Sequence, residues 1–150
     1  MIKHLLALAA AATLSTAAVA QVAVSDAWIR ATVPVQKTSG AFITLESKQA
    51  ARLVGATSPV AGRVEMHQME MHGQTMKMHA VEAIALPAGV RVDLAKAGYH
   101  LMFLDLKQQM KEGDTIPVTL TVEDAAHKRE SIVVPVPVKP LGYSAPGMHH

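Results

Sequence analysis

The 150-residue sequence contains no cysteine, only 3% aromatic residues and no long run of charges of one sign. The absence of cysteine excludes disulfide bridges, thiolate zinc sites, thiol catalysis and copper centres of the His₂Cys type. Fourteen Lys and Arg residues against twelve Asp and Glu residues leave a formal charge of +2, which gives no support to a nucleic-acid or anionic-membrane surface. The length predicts a single domain.

The N-terminal residues have the pattern of a secretory signal peptide. Lys3 and His4 precede an apolar stretch at residues 5–14, and small residues then lead to Ala20. We therefore predict that residues 1–20 are removed by cleavage after Ala20 and that the mature chain is exported. No later apolar run approaches the ~20 residues that a membrane-spanning helix needs, so no span is expected after cleavage.

Segments rich in Val, Ile, Thr and Leu, separated by Gly and Pro, follow at intervals of about ten residues, which is typical of an all-β domain. Alternation of apolar and polar residues favours an antiparallel sandwich or small barrel. We expect the domain to span residues 21–140, with Pro135, Pro137 and Pro140 interrupting its last strand, and residues 141–150 to form a flexible tail. Nine candidate strands lie at residues 22–29, 40–45, 52–56, 63–71, 75–80, 90–94, 99–106, 116–122 and 131–136.

Methionine and histidine are unusually frequent, with nine and eight residues, and they concentrate in residues 66–79. A single methionine is most simply a core filler, but the other strands of this chain fill a core with Val, Ile and Leu. Thioether sulfur and imidazole nitrogen together favour Cu(I), whereas zinc and calcium sites want thiolates or carboxylates. The segment therefore predicts a copper site. Its Met and His residues are Met66, His67, Met69, Met71, His72, Met76, Met78 and His79.

A hairpin within this segment would bring two of these side chains together. If residues 72–73 form a two-residue loop in which the glycine supplies a positive φ, His67 lies directly opposite Met78 on the same face. Met66 then points to the core, and His79 points to solvent or lies beside the ligands. A change of one residue in the loop length would undo this register.

Two further clusters stand outside this segment. Strand alternation puts His100 and Met102 on one face and Leu101 and Phe103 on the core side. An H-x-M pair alone is weak evidence, because a histidine at the start of a strand is more often a polar residue at the rim. The C-terminal cluster, either an accessory copper ligand set or a polar chain end, consists of Met148, His149 and His150.

The spacing of four of these residues, H-x10-M-x21-H-x-M, resembles the signature of the periplasmic PCuAC-type copper chaperones. The chain is also similar to that family at residues 26–31, 40–42, 58–65 and 107–114, and the similarity covers essentially the whole domain. The four residues that carry the motif are His67, Met78, His100 and Met102.

The resemblance implies a cupredoxin-like antiparallel β-sandwich of eight or nine strands, which binds one Cu(I) through these four residues in the periplasm. It also implies delivery to a thiolate-rich acceptor, the CuA site of cytochrome c oxidase subunit II directly or a Sco-type thiol chaperone. Some members have Met- and His-rich C-terminal extensions that bind Cu(II), so an accessory Cu(II) site is a further expectation. The stoichiometry stays open because of the surplus residues Met69, Met71, His72, Met76 and His79.

Three other functions compete with this one. A copper buffer or resistance protein would bind several metal ions with the surplus residues and have no dedicated acceptor. An enzyme is disfavoured because the sequence has no H-E-x-x-H, no two-His-one-carboxylate arrangement, no Gly-rich phosphate loop and no nucleophile elbow. A structural or adhesive β-sandwich would leave the matched spacing unexplained. We expect a monomeric copper-binding protein that is not an enzyme.

Overall fold

Ten β-strands make up the secondary structure of residues 21–145, the part of the chain that the computed structural model describes. This confirms the predicted all-β class. Nine of these strands coincide with predicted ones, and the addition is the three-residue strand β6. The strands are β1 (Val22–Arg30), β2 (Ser39–Ser47), β3 (Ala51–Thr57), β4 (Ala61–His72), β5 (Thr75–Val81), β6 (Ile84–Leu86), β7 (Arg91–Asp93), β8 (Tyr99–Leu106), β9 (Thr115–Asp124) and β10 (Arg129–Lys139).

Seven of the ten strands in the described part close into one barrel-like sheet. Their order is β4-β8-β2-β1-β10-β9-β3, and pairing of Ala56 in β3 with Val64 in β4 closes the ring. β5, β6 and β7 lie outside the ring and pair with β4, β3 and β2. The pairing is antiparallel except between β1 and β10. Of the two expected arrangements, the barrel therefore describes this sheet, and the cupredoxin-like sandwich stays a prediction.

The core lies inside the ring and takes alternate residues of each strand. Leu101 and Phe103 in β8 are 1% and 0% exposed, and Met66 in β4 is 5% exposed, as predicted. Because successive residues of a strand point to opposite sides, His67 and His100 belong to the outer face. Three of the candidate ligands, His67, His100 and Met102, are therefore positioned by strands whose inner faces pack into the core, whereas Met78 lies on β5 outside the ring.

The last strand is longer than predicted. β10 continues through Pro135 and Pro137, which we expected to interrupt it. Pro135 stands opposite Pro117 in β9, and β1 pairs with β10 only at Val138 and Lys139. A strand tolerates proline where no neighbouring strand requires the missing N–H group. The prolines thus lie where the sheet does not depend on them as donors.

Residues 141–145, the described start of the predicted flexible tail, contact the barrel. Tyr143 packs edge-on against Trp28 with ring centroids 4.9 Å apart. Arg30 donates a hydrogen bond of 3.3 Å from its guanidinium to the carbonyl oxygen of Leu141. This part of the tail is therefore held against the barrel.

The two chain ends lie outside the described residues. These are the predicted signal peptide, residues 1–20, and residues 146–150, which include the C-terminal Met and His cluster. Within residues 21–145, no helix has the length and hydropathy needed to cross a bilayer.

Candidate metal centre

Three neighbouring strands, β5, β4 and β8, carry Met and His residues on the outer face of the barrel. β4 lies between the other two, and His67 in β4 stands directly opposite His100 in β8. Met102 follows His100 by two residues and stands opposite Glu65. Since alternate residues of a strand share a face, these four side chains lie on one surface.

The two histidine rings contact each other edge to face, with centroids 5.4 Å apart. His100 is 3% exposed, and the side chain of His67 is 16% exposed. Among the described residues, the buried side-chain nitrogen and oxygen atoms without a hydrogen-bond partner are Nδ1 of His67 and both ring nitrogens of His100. An unpartnered buried polar atom costs about 1–3 kcal/mol, so it is seldom kept. Unpartnered nitrogens on two adjoining imidazoles are suitable donors for a metal ion.

Glu65 occupies the remaining nitrogen of His67, with its Oε2 atom 2.8 Å from Nε2. This hydrogen bond is the main cause that lowers the pKa of the Glu65 carboxyl, and Arg63 lowers it further. When Nε2 of His67 carries the proton, it donates a hydrogen bond to Glu65, and Nδ1 keeps a free lone pair. Burial lowers the pKa of His100, and the neighbouring His67 adds to that effect. Burial thus favours the neutral form of the His100 ring, which is the form that binds metals.

The hairpin between β4 and β5 turns one residue later than predicted. Its loop consists of Gly73 and Gln74, and His72 pairs with Thr75. Gly73 has a φ of 64° at the first central position, where a two-residue turn of type II′ needs glycine. The predicted loop, residues 72–73, would be a type I′ turn, which needs a positive φ at His72 as well as at Gly73. The observed loop requires it only at the glycine, so the chemistry of the turn favours the observed register.

The predicted direct pairing of His67 with Met78 is consequently wrong. His67 pairs with Ala80, and Met78 pairs with Met69. Moving the loop by one residue shifts the register by two, and a shift of two keeps each side chain on its original face. His67 and Met78 are therefore diagonal neighbours, with backbones about 7–8 Å apart, a distance that long side chains still span.

The methionines of this face differ in exposure. Met102 is half-buried beside the histidines, whereas Met78 is 53% exposed. Met71 and Met76, at the far end of the hairpin, are 60% and 57% exposed. In residues 21–145 no group of three or more His, Cys, Asp or Glu side chains could hold a metal ion. A metal ion bound at this face would therefore draw on thioethers.

The other Met and His residues of the segment lie on the opposite face of β4 and β5. Met66 is part of the core. His72 and His79 are exposed, and Nε2 of His72 lies 3.5 Å from Oε2 of Glu70. These two histidines stand apart from the pair formed by His67 and His100.

Aromatic side chains continue the histidine pair along the outer face. The Phe42 ring lies 6.1 Å from the His100 ring, and Trp28 stacks on Phe42 at 4.9 Å. Sequence reasoning missed Phe42, since nothing in the pattern links residues so far apart in the chain. It also missed Glu65, although a residue two positions before His67 in a strand must share its face.

Comparison with known proteins adds a family to this description. Residues 22–138 match the family described as "Putative lipoprotein LpqE-like". The chain is also 31% identical over 119 residues to "Putative lipoprotein Lxx21020" of Leifsonia xyli subsp. xyli (strain CTCB07), over 79% of this chain and 69% of that protein.

Solved structures of PCuAC domains have a similar fold. The copper-bound PCuAC domain from PmoF2 has a TM-score of 0.65 and 21% identity, over 83% of this chain and 97% of that chain. Apo-DR1885 from Deinococcus radiodurans has a TM-score of 0.57 and 26% identity, over 93% and 94% of the two chains. The Cu(I) form of DR1885 has a TM-score of 0.53 and 28% identity, over 75% and 74%.

Proposed function

This chain belongs to the LpqE-like family, and from that premise and the geometry of its histidine pair we propose that it is a copper chaperone. Two structures of similar fold are described with copper bound, one of them with Cu(I). We extend copper binding to this chain because of one observation on its own residues. Three buried imidazole nitrogens lack a partner on a face that also carries thioethers.

The proposed ligands of one Cu(I) are His67, Met78, His100 and Met102. Imidazole and thioether are neutral, soft-to-borderline donors, which favour Cu(I) over ions that prefer oxygen. His67 and His100 supply two donors from β4 and β8, and the half-buried Met102 supplies a third. Met78 reaches the ion from the edge strand β5 and leaves one side of it open to solvent.

This open side supports transfer by ligand exchange. An incoming thiolate binds Cu(I) more strongly than a thioether does, and Met78, at 53% exposed, is the donor that a partner can reach. The thiolate donates a lone pair to the ion as the thioether withdraws its own, and copper remains Cu(I) throughout. A transfer rate in stopped-flow that does not depend on acceptor concentration would instead indicate slow dissociation.

The proposed acceptor is thiolate-rich, either the CuA site of cytochrome c oxidase subunit II or a Sco-type thiol chaperone that leads to it. The proposed compartment is the periplasm, and we propose that the signal peptide is cleaved after Ala20 during export. The lipoprotein description of the family and of the Leifsonia relative supports export. These 150 residues include no cysteine, so they offer no attachment point for a cysteine-linked lipid. We further propose a monomer with no enzymatic activity.

A copper buffer without a dedicated acceptor is the second candidate. The exposed Met71 and Met76 favour it, since a buffer gains from extra weak sites. An accessory Cu(II) site at Met148, His149 and His150 stays a prediction. The number of ions held tightly by each chain distinguishes a chaperone from a buffer.

An anaerobic Cu(I) titration of the chain from Gln21, against a chromophoric chelator, tests the proposal. We expect one tightly held copper, which the variant His100→Ala/Met102→Ala loses. The matched control, His127→Ala/Met110→Leu, removes a histidine and a methionine remote from this face and should keep it. Several weakly held ions that the first variant leaves unchanged would contradict the chaperone and favour the buffer.

A further inference from the structure

The β4–β5 hairpin extends past the barrel as a two-stranded ribbon. β8 pairs with β4 as far as Gln68, which stands opposite Tyr99. Just beyond, the N–H of Met69 donates a hydrogen bond of 2.7 Å to the carbonyl oxygen of Gly98. Residues 71–80 are all exposed. The far end of the ribbon therefore has no core to fill.

Four methionines lie on one face of this ribbon as two cross-strand pairs. Met69 stands opposite Met78, and Met71 stands opposite Met76. Directly opposite residues have Cβ atoms about 4.5–5.5 Å apart, so the sulfur atoms of each pair can reach one ion. The opposite face of the ribbon carries polar and charged side chains instead. The ribbon thus separates its thioethers from its charges.

Packing does not explain the outer pair of methionines. Met71 and Met76 are 60% and 57% exposed, whereas the core methionines Met66 and Met110 are 5% and 0% exposed. Large apolar side chains gain nothing from contact with water, and polar residues would serve better at an exposed hairpin end. The property that distinguishes these side chains from other apolar residues is the thioether sulfur.

We propose that Met71 and Met76, with Met69 as a third donor, form a second Cu(I) site made only of thioethers. Uncharged, soft sulfur selects Cu(I), and the ribbon end presents these donors to solvent. The site contains no imidazole and is open on one side, so it holds copper more weakly than the histidine site. It goes beyond the proposed function, because it does not require His67 or His100.

Because of its position on the ribbon, this site loads copper into the histidine site, and this role rests on the proposed function. Met71 is four residues from His67 along β4, about 13 Å, and Met69 and Met78 lie between them on the same face. Copper captured at the ribbon end moves to the histidine pair through these intermediate thioethers. Each step between thioethers exchanges one sulfur lone pair for another, and the last step exchanges a sulfur lone pair for that of an imidazole nitrogen, so Cu(I) keeps its oxidation state.

Cu(I) stoichiometry separates the two sites. The chain that begins at Gln21 is titrated anaerobically with Cu(I), once in competition with a weak chelator and once in competition with a strong one. The wild type should bind a second, weaker equivalent, which Met71→Leu/Met76→Leu loses while it keeps the tight one. The variant His67→Ala/His100→Ala should retain the weak equivalent alone. Leucine preserves the apolar character, so the first variant differs from wild type mainly by its sulfur atoms.

Protection from oxidation identifies the donor atoms directly. Peroxide converts methionine to its sulfoxide by attack on the sulfur, and a sulfur that donates to a metal ion reacts more slowly. Silver(I), a soft ion of the same charge, is used in place of Cu(I) in this experiment, because peroxide oxidises Cu(I) but not Ag(I). Mass spectrometry should show Ag(I)-dependent protection of Met71 and Met76, also in His67→Ala/His100→Ala.

Two results would overturn the ribbon site. One is a Met71→Leu/Met76→Leu variant that binds as many Cu(I) ions as the wild type. The other is oxidation of Met71 and Met76 at the same rate with and without Ag(I). A wild type that shows the weak equivalent and the protection, yet no tight equivalent, supports the ribbon site and defeats only the histidine site. The variant Met110→Leu is the matched control and should change neither equivalent.

Discussion

Two buried polar side chains of this barrel, Glu123 and His100, differ in whether they have hydrogen-bond partners. Glu123 is 6% exposed and has three partners, Arg52, His127 and Arg129. His100 is 3% exposed, and neither of its ring nitrogens has a partner. A satisfied buried group is a structural feature, whereas an unsatisfied one is kept at a cost to folding. The contrast indicates that the histidine pair serves to bind a ligand rather than to stabilise the fold.

The pKa values of the two groups shift for different reasons. Hydrogen bonds, first from Arg52 and then from Arg129 and His127, lower the pKa of Glu123 to about 2. Burial is the main cause that lowers the pKa of His100. Glu123 is thus held in its charged form by its neighbours, and His100 in its neutral form by the lack of water. The predictions below test this difference.

Replacing His100 by leucine should have the largest effect. We expect Cu(I) affinity to fall by about 100-fold or more, because loss of a group that merely supports a ligand already costs about 10–100-fold. Thermal stability should stay the same or rise, since two unpartnered nitrogens leave the interior. Chelator competition and thermal melts measure the two properties. Clear destabilisation with normal copper binding would make His100 a structural residue like Glu123.

Glu123→Gln should alter stability and leave copper binding unchanged. The pKa of Glu123 is lowered from 4.5 to about 2, so between these values the unfolded chain binds more protons than the folded one. Stability therefore falls as the pH drops: the contribution is complete above pH 4.5 and is lost as the pH falls through 2. Melting temperatures of wild type and variant should differ most above this window and converge below it. A constant difference would contradict the assignment.

Met78→Leu should have a smaller effect than loss of a buried histidine. Three proposed ligands remain, and we expect Cu(I) affinity to fall by about 30-fold, or ~2 kcal/mol. Transfer to a dithiol acceptor should also become faster, because the thiolate no longer has to displace this thioether. Met76→Leu is the matched control and should leave the tight equivalent intact. Equal losses in both variants would remove Met78 from the proposed ligand set.

Of the three variants expected to weaken copper binding, Glu65→Gln should have the smallest effect. The variant keeps an oxygen acceptor for Nε2 of His67 but loses the carboxylate charge, so the ring is held less firmly. We expect Cu(I) affinity to fall by about tenfold, the lower end for a group that supports a ligand. Glu70→Gln, beside His72 on the opposite face, is the control and should not change it. An unchanged affinity in Glu65→Gln would show that this hydrogen bond does not contribute to binding.

Much of the fold could be predicted from local pattern. The positions of nine strands and the inward direction of Leu101, Phe103 and Met66 follow from alternation, which depends on neighbours in the chain. The closure of the barrel through Ala56 and Val64 could not be predicted, because it joins strands by a pairing that the alternation does not encode. The continuation of β10 across Pro135 and Pro137 could not be predicted either, because it depends on which strands lie beside β10.

The candidate site was predictable in part. The donor types and the common face of His100 and Met102 were visible in the sequence, and Glu65 could have been found from its spacing to His67. The partner of His67 could not, because β4 meets β8 through contacts distant in the chain, and the hairpin register depended on the turn. The four ligands themselves remain a prediction for the copper titrations to test.

The sequence by itself determined which candidate donor side chains this protein has and the face on which each one lies, since both depend on residue type and strand alternation. Only the tertiary structure decided that His67 adjoins His100 and that their nitrogens are buried without partners. The physical reason is that desolvation of a side chain is a property of everything packed around it. Strands distant in sequence, including the one that carries Phe42, remove water from His100 without replacing its hydrogen bonds.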